Sequence, residues 1–135
     1  MSVQIYRMIS ITMAVIFFTV GLIFLFIPAN VFGFFNYLSD YLGMKTSISN
    51  VDQVYLILAV SYMYVVSLLA FFMFKNPTKG IFSLLLSHAK LSSSFVSLYF
   101  IFTRGIYLIY IVNFILDGLI GLLAIYLYNR REWIK

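Results

Sequence analysis

The sequence predicts an all-α polytopic membrane protein, a four-transmembrane-helix antiparallel bundle with a short interfacial helix after the first span. Two observations carry that reading. Of 135 residues, 64% are hydrophobic and only 10% are charged, against roughly 25% charged in a soluble globular domain. Apolar runs of about twenty residues, the length that crosses a hydrocarbon core, recur four times and leave room only for short connections and tails. Residues 1–135 therefore read as a single membrane domain.

The first span covers about residues 8–27, behind a short head bearing Arg7. That head resembles the start of a secretory signal. The run is long for a signal core, however, and no small-x-small cleavage site follows it, so it is expected to stay as a span. Pro28 breaks the pattern. In residues 31–43, Val31, Phe34, Phe35, Leu38, Tyr41 and Leu42 recur at helical spacing around Asn36 and Asp40, as in a helix lying flat in the interface; an ordinary loop is the alternative. The second span covers about 53–74, with Asn50 as N-cap, Gln53 at the capping-box position and Lys75 at its end. In the run from Asn76 to Gly80, Pro77 suits the first turn of a new helix behind an asparagine cap. The third span then covers about 80–103 and forms a tight hairpin with the second. Arg104 and Gly105 supply a C-terminal cation and a helix-ending glycine. The fourth span covers about 106–128, and the short turn makes it the antiparallel neighbour of the third.

Four crossings put both termini on one side. That side collects Arg7, Lys75, Lys79, Arg130, Arg131 and Lys135, whereas the opposite loops hold Lys45 and Arg104. The imbalance predicts a protein integral to the cytoplasmic (inner) membrane with both ends in the cytoplasm, and Tyr126, Tyr128 and Trp133 fit an interfacial aromatic belt there. The net charge of +5 is a topology signal, because the basic residues form no contiguous cluster of the kind that tracks nucleic acid. With no cysteine there is no disulfide, thiolate metal site or cysteine nucleophile. Asn76-Pro77-Thr78 is disqualified for glycosylation by its proline.

Three ionisable residues fall inside predicted spans: His88 and Lys90 in the third, Asp117 in the fourth. Each charge at the bilayer centre costs about 2.5–3.5 kcal/mol, so each asks for a reason. Lys90 lies about ten residues from one end of its helix and Asp117 about eleven from the opposite end of its own, which puts both near the middle of the core. At about 100° per residue, Ser83, Ser87, Ser94 and Ser97 share the face of Lys90, and Tyr110, Asn113, Gly121 and Ala124 share that of Asp117. A polar seam between helices three and four follows, with small residues allowing close approach. His88 stands about 200° from Lys90 and shares its face with Ser92. It reads either as a proton carrier, haem ligand or quinone partner, or as a neutral histidine bonded to a neighbouring helix.

The run from Gly21 to Pro28, the stretch Val31, Phe32, Gly33, a later lysine-serine helix and an acidic fourth helix together resemble the DoxX-like group of small four-helix membrane proteins. The resemblance covers the order of hydropathy and no functional residues. It implies an accessory role near membrane oxidoreductases and quinone chemistry.

No nucleophile has a base beside it, and the sole histidine has no acid on its own face, so no catalytic site is expected. The expected function is an accessory or scaffold subunit of a larger membrane assembly, partnered by lipid and by other subunits or further copies of itself. One alternative is a homo-oligomeric proton or ion path lined by Ser83, Ser87, Lys90, Ser94, Asn113 and Asp117. A second is a quinone- or haem-associated redox partner, with either cofactor requiring help from another subunit. No cofactor or metal is expected within the chain itself.

Overall fold

The computed structural model describes residues 2–46 and 53–130. Among them are five helices: α1 (Val3–Phe26), α2 (Pro28–Tyr41), α3 (Gln53–Lys75), α4 (Ile81–Arg104) and α5 (Leu108–Arg130). All but α2 are long and apolar enough to cross a membrane, as expected of a small integral membrane protein.

Local chemistry moves several boundaries. Ser2 caps α1 by accepting a hydrogen bond from the Ile5 amide at 3.3 Å, so the helix begins five residues before the predicted span and Arg7 lies within it. The break after α1 is at Ile27 (φ −134, ψ 48), and Pro28 opens α2 from its first turn instead of interrupting a loop, since a proline at N1 sacrifices no hydrogen bond. Pro77 does the opposite of what its neighbours suggest. The Lys79 amide donates to the Asn76 carbonyl at 3.0 Å, which makes Asn76–Lys79 a turn with proline at its second position. Helix α4 starts only at Ile81, with Gly80 as its cap. At the other end, Gly105 has φ 111, a conformation that glycine alone adopts without strain. Helix α5 therefore starts at Leu108, two residues after the expected position. The proposed cap Asn50 and the belt residue Trp133 lie outside the described residues.

The bundle is two close pairs. Contacts between α1 and α3, and between α4 and α5, far exceed those between α3 and α4. The short turn does join α3 to α4, but α3 spends its packing on α1, which corrects the expectation of a tight hairpin. In the first pair, Gly21 sits so near α3 that a Cβ there would stand 3.2 Å from the Met63 Cβ, and Ser67 Oγ donates to the Ala14 carbonyl at 2.8 Å. In the second, a Cβ on Gly121 would fall 2.7 Å from the Leu91 Cγ. Small residues permit both approaches, as lipid supplies no hydrophobic force to press helices together.

The core is lopsided. Tyr6, Met13, Ala14, Phe17, Val66, Ala70, Met73, Leu86, Ala124 and Leu127 form its buried cluster. All of them lie between the bundle's middle and the end carrying Ser2 and the α3–α4 turn, the turn end. Toward the opposite end, where α2 and the α4–α5 turn lie, the buried positions on α4 are Ser94 and Ser97. Leu108 is the only buried hydrophobic there among the described residues. An isolated bridge between Lys45 and Tyr107 ties the segment after α2 to the start of α5. The outward faces carry large apolar side chains such as Phe26, Ile57, Phe95, Phe102 and Leu119, which suits a lipid surround.

Candidate functional site: a buried ion pair beneath a recess

Helices α4 and α5 run antiparallel, so positions that descend along one meet positions that ascend along the other. Lys90 and Asp117 meet at mid-height: Nζ lies 2.8 Å from Oδ1, with side chains 1% and 6% exposed. Their depth and angular positions in the sequence foretold this contact. Helices α1 and α3 complete its surroundings. The Lys90 ammonium stands 4.7 Å from the centroid of the Phe17 ring and 5.1 Å from that of Tyr62. Two ring faces thus take up part of the cation's field, an interaction that grows to about 2 kcal/mol when desolvated. Tyr62 in turn donates its hydroxyl to the Ala89 carbonyl at 2.8 Å. The centre is therefore a four-helix hub and not the two-helix seam expected.

Sequence reasoning set Tyr62 among the packing tyrosines and missed Phe17. For Tyr62 a signal existed: its depth in α3 matches that of Lys90 in α4. For Phe17 there was none, because nothing distinguishes one phenylalanine from its neighbours in a uniformly apolar helix.

Above the pair, toward α2, the seam continues. Ser94 Oγ donates to the Phe114 carbonyl at 2.8 Å, and the Asn113 amide donates to Ser97 Oγ at 2.6 Å and to Ser93 Oγ at 3.1 Å. Below the pair it is weaker. Ser83 Oγ returns to the Gly80 carbonyl at 2.9 Å, serving its own helix start, and the buried Ser87 Oγ has no hydrogen-bond partner among the described residues. Of the seven predicted residues, Lys90, Asp117, Asn113 and Ser94 are thus linked across α4 and α5, while Ser83 and Ser87 share their face without joining them.

His88 is apart from all of these. It is exposed on the outer face of α4, and its Nδ1 donates to the Leu84 carbonyl of the same helix at 2.9 Å. The expected bond to a neighbouring helix is absent because no helix of this chain faces it. A carbonyl only accepts, so this bond puts the proton on Nδ1 and leaves Nε2 as an outward acceptor in the neutral ring.

Where the two pairs diverge, toward α2, two hollows flank the hub. One, of about 310 Å³, lies between α1 and α5 and reaches Lys90, Asn113 and Asp117; the other, of about 610 Å³, is walled by Tyr62, Ser93, Ser97 and Phe100. They meet at Phe24, Ile109 and Asn113. Among the described residues no group of His, Asp and Glu could hold a metal ion. No family model, curated protein or solved structure matches this chain.

Proposed function

We propose that the chain is an accessory or scaffold subunit of a larger membrane assembly, seated in the cytoplasmic (inner) membrane with both termini in the cytoplasm. One observation carries this reading: the outer face of α4 is apolar around Leu85, Phe95 and Tyr99, yet presents His88 and Ser92. In hydrocarbon the outward Nε2 and the Ser92 hydroxyl find no water, and a helix from another subunit satisfies both. Orientation rests on charge. Arg7, Lys75, Lys79 and Arg130 gather at the turn end against Lys45 and Arg104 at the other. Helix α2, with Phe34, Tyr37 and Tyr41 exposed, suits the opposite interface. A DoxX-like affinity fits the same role.

Transport along the seam is less well supported. Lys90, Ser83, Ser87 and Asp117 are turned into the protomer, so they cannot line a path between copies, and the ion pair plugs a path through one. A haem iron would find His88 on the wrong face, and a quinone carbonyl would meet hydrogen-bond acceptors at the base of the recess.

Mild detergent extraction followed by native mass analysis tests the proposal. A complex heavier than the 15.6 kDa chain, dissociated by His88→Leu with Ser92→Leu, is expected. A lone chain in both samples, or liposomes that leak protons with the native chain and not with Asp117→Asn, would overturn it.

A further inference from the structure

The hollow between α1 and α5 has polar atoms to spare, and hydrogen-bond accounting identifies them. Ser97 Oγ gives its one hydrogen to the Ser93 carbonyl at 3.0 Å, so toward Asn113 it can only accept. That fixes the Asn113 amide with Nδ2 toward α4. Its two hydrogens go to Ser97 and Ser93, which leaves Oδ1 without a partner. Asp117 commits Oδ1 to Lys90, and its buried Oδ2 has no partner. Both spare atoms are acceptors. They stand four residues apart on one face of α5, about 5–6 Å between side-chain origins. Both residues line the hollow, whose walls are otherwise apolar, among them Val20, Phe24, Val112 and Leu116.

We infer that this recess binds a neutral single-chain lipid whose head carries two hydroxyls, as a monoacylglycerol does. The hydroxyls donate to Asn113 Oδ1 and Asp117 Oδ2, and the tail lies between Val20 on α1 and Val112 and Leu116 on α5. The head is neutral because Lys90 and Asp117 already cancel, and a phosphate would bring an unpaired charge and further acceptors into hydrocarbon. The volume, about 310 Å³, falls within the range of small-molecule sites. Half-buried Asn113 takes the first hydroxyl. Asp117, 4% exposed, takes the second once the lining side chains part. The inference holds with or without a partner subunit.

The full-length chain in detergent micelles is challenged with 1-oleoylglycerol, with methyl oleate (a similar tail without a donor) and with glycerol (a head without a tail), and the bound molecules are read by native mass spectrometry. 1-Oleoylglycerol should be retained one per chain and about tenfold better than either control, the factor a charge-assisted hydrogen bond supplies. Val112→Trp fills the tail's place and leaves the polar base intact, so it should abolish retention at an unchanged Tm. Asn113→Leu should weaken retention about fivefold, the share of one neutral hydrogen bond. Methyl oleate held as well as 1-oleoylglycerol, glycerol held alone, or Val112→Trp binding like the native chain would each overturn the inference. Should Asn113→Leu fail to fold, the probes and Val112→Trp decide.

Discussion

Between Lys90 and the turn end, the hidden side chains include Tyr6, Val66, Met73, Leu86 and Leu127; between Lys90 and the α2 end they are Ser94, Ser97 and, at the margin, Leu108. The first half coheres through matched shapes, the second through hydrogen bonds thrown across a narrow gap. Lipid tails are as apolar as leucine, so nothing squeezes the second half shut, and its helices separate wherever no polar pair holds them. Lys90 and Asp117 mark the border. The lesson is that a buried ion pair of doubtful net worth can still set register where shape no longer does.

That contrast can be broken most forcefully at the border. Asp117→Leu leaves the Lys90 ammonium buried and uncompensated and should cost about 3–5 kcal/mol, seen as a large drop in Tm in detergent. Lys90→Met with Asp117→Leu should recover most of it; a double variant no better than the single would sink the idea that the two charges answer each other. Next comes the packed half. Leu86→Ala should cost about 2–4 kcal/mol in reversible unfolding, whereas Val96→Ala, on the exposed face of α4, should stay within about 0.5 kcal/mol. Equal losses at both positions would erase the difference between the halves. Gly121→Ala drives a methyl group against Leu91, with the Leu91 backbone nitrogen 3.3 Å away. It should cost about 1–3 kcal/mol by overpacking, and its partial rescue by Leu91→Ala would locate the clash. The smallest effect belongs to the open half: Asn113→Ala should cost about 0.6–1.7 kcal/mol, the span measured for hydrogen bonds between membrane helices.

The border was legible and the halves were not. A charge in an apolar run is conspicuous, and depth with angle suffices to predict its partner, so Lys90 and Asp117 were readable from the residues. Four helices were equally plain. What fails is the choice of neighbours. Helices apolar on all sides give no sign of which face packs, so the sequence favoured α3 with α4 by the shortness of their turn, while the close fit of Gly21 against Met63 gives α3 to α1. The same blindness hid Phe17. His88 was legible in its isolation from Lys90 but not in its bonding, because a carbonyl one turn back lies within reach of a histidine in any helix. Pro77 misled because Asn-Pro opens a turn as readily as it caps a helix, and only Gly80, three residues on, sets where α4 begins.

The placement of Lys90 also bears on how the chain enters a bilayer during synthesis. Helix α4 has a mean hydropathy of 1.3 where its three companions reach 2.3 to 2.6, and it leaves the ribosome before the carboxylate that neutralises it. Partitioning of α4 by itself should be poor, and a chain truncated before α5 should leave it in water. The third and fourth crossings then go in together, as one unit released late, after the first two have already found lipid.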